Sequence, residues 1–132
     1  MDWASSLQIR TSEAQGRVPV TVLHVEGRIN MSNTDALEQA ASAAIDQGAR
    51  YLLLDLSSVP SLTSAGLRSI HLIYQQLNQP DPTSQADPAA AEASKRLKLL
   101  VTSPDVRKVL QISGFDSYLE VYSSLQEAIA SF

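Results

Sequence analysis

Apolar positions recur along this chain with two different periods, and each change of period marks the boundary of an element. Residues 7–10, Leu-Gln-Ile-Arg, alternate apolar and polar, which predicts a strand covered on one side only. A turn-rich link over residues 12–17 separates it from residues 18–26, so the two are expected to form an antiparallel hairpin. In the second run Val18, Val20 and Val22 share one face while Leu23 and Val25 share the other, the pattern of a central strand covered on both sides. Pro19 is tolerable there because it falls at the strand's start.

Residues 27–33 read as a loop, after which Ser32 or Asn33 caps a helix whose apolar stripe is Leu37, Ala40, Ala41, Ala44 and Ile45, closed by Gly48. Residues 51–56, Tyr-Leu-Leu-Leu-Asp-Leu, form a nearly continuous apolar run, as in a strand inside an α/β sheet. Pro60 and its neighbouring serines break that run. From Ala65 onward the spacing turns helical, with Leu67, Ile70, Ile73 or Tyr74, and Leu77 on one stripe. Residues 97–101 predict a further strand, and Ser103-Pro104-Asp105 opens a helix carrying Val106, Val109, Leu110 and Ile112 up to Gly114. A last short strand over 119–122 is followed by a capping box, Ser124-Leu125-Gln126-Glu127, ahead of Ala128, Ile129 and Phe132. This alternation predicts an α/β fold: a mixed sheet of about five strands, much of it parallel, in the order β-β-α-β-α-β-α-β-α with helices packed against it.

Between the second helix and the next strand, residues 78–94 carry three prolines and little apolar mass, so they read as a flexible insertion. The whole chain of 132 residues is of ordinary size for one domain, 1–132. Its net charge of −4 offers no basic face, which argues against nucleic acid and anionic membrane surfaces. It has no cysteine, excluding disulfides, thiolate metal sites and a cysteine nucleophile. The first ten residues lack a signal peptide's basic start and apolar core, and no stretch approaches the roughly 18 apolar residues a membrane span needs. A cytoplasmic location, with no membrane and no attached transporter, is the expectation.

Enzymatic signatures are missing. His24 lies in a strand and His71 in a helix, far apart, and each reads as a histidine without a ligand partner. Ser64 has Gly66 after it but no glycine two residues before it, unlike a nucleophile elbow. Neither Gly-x-x-x-x-Gly-Lys-Ser/Thr nor Gly-x-Gly-x-x-Gly occurs, and no His and carboxylate spacing suggests a metal. No enzyme activity, cofactor or metal is expected. What remains is Thr63-Ser64-Ala65-Gly66 at a strand-to-helix turn, where a hydroxyl can cap the helix or hold an anion. Gly66 is compatible with close approach of another backbone or of a partner's phosphate.

The string LLLDLSSVPSLTSAGLRSI, residues 52–70, resembles the signature of the STAS family, the domain of anti-sigma factor antagonists and of the cytoplasmic tails of sulphate transporters. Val25-Glu26-Gly27-Arg28-Ile29 resembles that family's second strand and following loop. Residues 106–116, VRKVLQISGFD, resemble its third-helix motif, so the likeness covers most of the chain from about residue 20 onward. It implies a STAS-type sheet and a non-enzymatic antagonist that binds an anti-sigma factor which is also a serine kinase of the ATP-binding type, with a serine phosphatase to reset it. It implies Ser64 as the phosphorylated serine and an interface built from Asn30, Met31, Ser32, Asn33, Ser61, Thr63, Ser64, Ala65, Gly66, Arg68 and Ser69. Thr63 and Asn30 stand where many members carry Asp, which removes negative charge near Ser64. The alternative within the family is an accessory, scaffold or ligand-binding module, in a transport complex, phosphorelay or nucleotide sensor, with no phosphoserine switch.

The physics of such a switch stands independently of the likeness. A phosphoserine adds up to about two negative charges, tolerable where helix N–H groups and the dipole favour an anion. Arg68, one turn on, leans back toward the helix start and can pair with it. Inside an interface that offers no cation, a penalty of about 3 kcal/mol weakens binding on the order of 100-fold.

Overall fold

The computed structural model describes residues 7–27, 29, 34–60, 62–77, 96–115 and 119–132. The elements follow in the expected order: β1 (Gln8–Gln15), β2 (Pro19–Glu26), α1 (Thr34–Asp46), β3 (Leu52–Ser58), α2 (Ser64–Leu77), β4 (Leu97–Leu100), α3 (Pro104–Ser113), β5 (Glu120–Tyr122) and α4 (Leu125–Ala130). The five strands lie in the sheet in chain order, β1 antiparallel to β2 and every later pair parallel. Because the parallel strands advance in one direction, right-handed crossovers put their helices on a single face. Accordingly Leu37 and Ala41 of α1, Ile70 and Ile73 of α2, and Val106 and Leu110 of α3 share one core with Leu23, Val25, Leu52, Leu54, Leu97 and Leu99. The helix α4 follows the last strand without a crossover and covers the other face, where Ala128, Ile129 and Phe132 meet Val20, Val22, Leu53 and Leu100.

The local signals behave as their chemistry requires. Leu52, Leu53 and Leu54 are wholly buried, because β3 is covered on both faces. Ser103 caps α3 by accepting the N–H of Val106, Ser124 caps α4 by accepting that of Glu127, and Gly48 and Gly114 take the left-handed conformation that ends α1 and α3.

Two expectations change. The first strand runs on to Gln15 rather than stopping near residue 10, because ladder pairing with β2 continues from Gln8↔Glu26 to Gln15↔Pro19 whatever the polarity of an edge strand's outer face. The hairpin turn tucks under α4: a Cβ on Gly16 would stand 2.7 Å from the Ile129 carbonyl oxygen. Ile112 is 76% exposed instead of lining the core, since six residues past Val106 on a helix is well off the buried stripe. The insertion over 78–94 and the cap at Ser32 or Asn33 lie outside the described residues. Among the described residues no helix is long and apolar enough to cross a membrane.

Candidate functional site

The turn after β3 is built from the inside out. Val59 and Leu62 are buried, and Leu62 forms a parallel bridge with Ile29, which itself is fully buried. Thr63 then serves as the N-cap of α2: its carbonyl accepts the Leu67 N–H at 3.0 Å and its Oγ1 accepts the Gly66 N–H at 3.3 Å. The same hydroxyl donates to the Ile29 carbonyl at 3.1 Å, tying the segment after β2 to the helix start. Thr63 thereby takes the capping role, and Ser64, the first residue of α2, stays exposed with its hydroxyl outside the cap.

The glycine of the motif has a structural task. A Cβ on Gly66 would lie 3.0 Å from Leu62 Cδ2 and 3.1 Å from Ile29 Cγ2, so its missing side chain seats this chain's own Ile29 and Leu62. Gly66 is buried, and so is Ser69, which donates to Glu38 Oε2 at 2.9 Å and pins α2 to α1. Gly66 thus backs the turn, while Ser69, though buried, still lines the groove between the two helices. Ser64, Arg68 and Leu72 are spaced four apart and fall on one exposed stripe. That stripe and Ala65 face Thr34, Asp35 and Glu38 of α1 across an open groove of about 540 Å³. Residues 30–33 and Ser61 lie outside the described residues.

A second polar group occupies the opposite face of the sheet, and the sequence alone does not assemble it. His24 is far from partnerless. Its Nδ1 lies 2.7 Å from Asp55 Oδ2, its neighbour across the β2–β3 ladder, and its Nε2 lies 2.8 Å from Ser12 Oγ on β1. The other carboxylate oxygen of Asp55 accepts the Ser57 N–H at 3.0 Å and the Ser57 hydroxyl at 2.5 Å. Burial by itself would raise the Asp55 pKa, but the hydrogen bonds from Ser57 and His24 outweigh it and hold the carboxyl below its ordinary range. The available clue was a polar residue at an inward position on each of two adjacent strands, in step with Val20 and Val22 on β2 and with Leu53 on β3. Among the described residues no three His, Asp or Glu side chains are grouped to hold a metal ion.

The arrangement has known counterparts. The family model for the STAS domain matches residues 11–81. A candidate anti-sigma factor antagonist, BtrV of Bordetella bronchiseptica, is 34% identical over 108 residues, covering 82% of each chain. The anti-sigma-F factor antagonist RsfB of Mycobacterium tuberculosis is 22% identical over 129 residues, 98% of this chain and 92% of that one. The crystal structure of an anti-sigma factor antagonist from Mycobacterium paratuberculosis superposes with a TM-score of 0.75 at 25% identity, covering 96% of this chain and 93% of that one. With the family model matched over residues 11–81 and a relative 34% identical across 82% of its length, this chain belongs to the STAS domain family.

Proposed function

We propose that this protein is a cytoplasmic anti-sigma factor antagonist whose binding to an anti-sigma factor, itself a serine kinase of the ATP-binding type, is switched by phosphorylation of Ser64. The observation that carries this reading is the division of labour at the start of α2: Thr63 supplies the cap, so the exposed Ser64 hydroxyl is left for a kinase. The relatives named for the same antagonism support it. The contact surface is the groove lined by Ser64, Ala65, Arg68, Ser69 and Leu72 with Asp35 and Glu38, beside the capping Thr63.

Before modification the groove carries Arg68 and two carboxylates. A phosphate on Ser64 meets the open N–H groups of the first turn and has Arg68 one turn away, so the free protein holds the dianion at low cost. In the complex that charge must lose its water beside Asp35 and Glu38, which favours release. A serine phosphatase restores the binding form.

Incubation with the cognate kinase and ATP, followed by mass spectrometry, is expected to place one phosphate on Ser64. In pull-downs Ser64→Ala retains the anti-sigma factor and Ser64→Asp loses it. Equal retention by both variants would instead assign the domain to the accessory or ligand-binding modules of the family.

A further inference from the structure

The polar group on the α4 face bears on a separate question, independent of Ser64. The helix α4 packs over Val20, Val22, Leu53 and Leu100. Beyond its reach, toward the carboxyl ends of β2 and β3, His24 and Asp55 continue the same face, and Ser12 and Arg10 stand opposite Val22 and His24 on β1.

The carboxylate fixes which ring nitrogen carries a proton. Asp55 is held ionised and can only accept, so the proton between it and His24 sits on Nδ1. When the ring is neutral, that leaves the lone pair on Nε2, 2.8 Å from the Ser12 hydroxyl, to accept from it. Asp55 cannot swing away, because its second oxygen is held by the backbone and side chain of Ser57. The side chains of His24 and Asp55 are 24% and 12% exposed, whereas Ser12 is on the surface of an edge strand. An accessible hydroxyl, a base within hydrogen-bond reach and a third group orienting that base are the requirements for an activated nucleophile. Arg10, opposite His24 on β1, pairs with Glu26 at 3.5 Å.

We infer that Ser12, His24 and Asp55 form a nucleophilic site in which Ser12 accepts an acyl group from an activated oxygen or sulfur ester. The Ser12 oxygen lone pair forms a bond to the ester carbonyl carbon while its proton passes to His24 Nε2. Collapse of the tetrahedral adduct breaks the bond to the leaving oxygen or sulfur, which departs with its electron pair and takes the proton from Nε2. Asp55 is a positioning residue: it keeps its bond to Nδ1–H and balances the transient imidazolium. Because Ser12 is exposed rather than enclosed, the substrate class is limited to donors whose leaving group needs little help, and one acylation per chain is expected rather than rapid turnover.

The test uses the full chain with p-nitrophenyl acetate, followed by intact mass and peptide mapping. The wild type is expected to gain one acetyl group on Ser12, with release of one equivalent of p-nitrophenolate. Ser12→Ala abolishes the modification, His24→Gln slows it on the order of 100-fold, and Ser123→Ala, at an exposed serine elsewhere, leaves the rate as it was. Imidazole ¹⁵N NMR reads the positioning role: the Nδ1–H tautomer dominates in the wild type and is lost in Asp55→Asn, a change that loss of packing alone does not produce. A wild type acetylated no faster than Ser12→Ala, or label spread over lysines, would overturn the inference without touching the Ser64 reading.

Discussion

Thr63 and Ser64 are adjacent hydroxyl residues, and their opposite roles follow from one step of helix geometry. Thr63 satisfies an orphan N–H and holds the Ile29 carbonyl, while Ser64, the first residue of the helix, is exposed. Thr63→Ala is therefore expected to lower unfolding stability by about 1–2 kcal/mol, and Ser64→Ala by less than about 0.5 kcal/mol, as read from urea midpoints. Gly66→Val, forced against Leu62 and Ile29, is expected to cost about 1–3 kcal/mol in the same measurement. Asp55 gives a pH signature. Its folded pKa lies below the ordinary 3.8, so its stabilising contribution is complete above that value and is lost as acid titrates the folded carboxylate. Acid unfolding monitored by circular dichroism should accordingly show a shallower fall below about pH 4 for Asp55→Asn than for the wild type.

At the scale of elements, the groove exists because α1 and α2 are held together by polar ties as well as by packing. Ser69 donates to Glu38, and further along the same pair of helices Ser42 and Gln76 exchange hydrogen bonds at 3.1 and 3.0 Å. Ser69→Ala is expected to cost about 0.5–1.5 kcal/mol and to weaken anti-sigma factor binding in titration calorimetry, although Ser69 itself is buried. A partner-binding loss with the fold retained would show that this tie shapes the groove rather than only stabilising the fold. Element types were legible in the chain wherever the apolar period was long, as in α2, whose buried Ile70, Ile73 and Leu77 keep the helical spacing. Extents were less legible. The end of β1 depends on pairing with β2, and the fate of Ile112 depends on which side of α3 meets the sheet, neither of which a local window contains.

Among the described residues the two sheet faces are covered unequally, by α1, α2 and α3 on one side and by the six-residue α4 on the other. That inequality is what leaves room for the Ser12–His24–Asp55 group beside α4. The short helix is secured by Lys98, which is almost fully buried and donates to the Ser131 carbonyl at 2.8 Å and to its hydroxyl at 2.9 Å, with the Phe132 ring centroid 4.8 Å away. A cation there also suits the negative end of the helix dipole. Lys98→Ala is expected to raise amide hydrogen exchange over residues 125–131 while α1, α2 and β3 keep their protection, a local opening that exchange mass spectrometry resolves.

From residue order alone came the element types, the caps at Ser103 and Ser124, the doubly covered β3 and the turn displaying Ser64, because each depends on neighbours within a few positions along the backbone. Tertiary structure decided which hydroxyl caps α2, what Gly66 makes room for, and which carboxylates face Arg68. It also decided that a serine, a histidine and an aspartate from three strands share hydrogen bonds. Those outcomes require groups distant in the chain to arrive at the same place, and only strand register and helix packing bring them there.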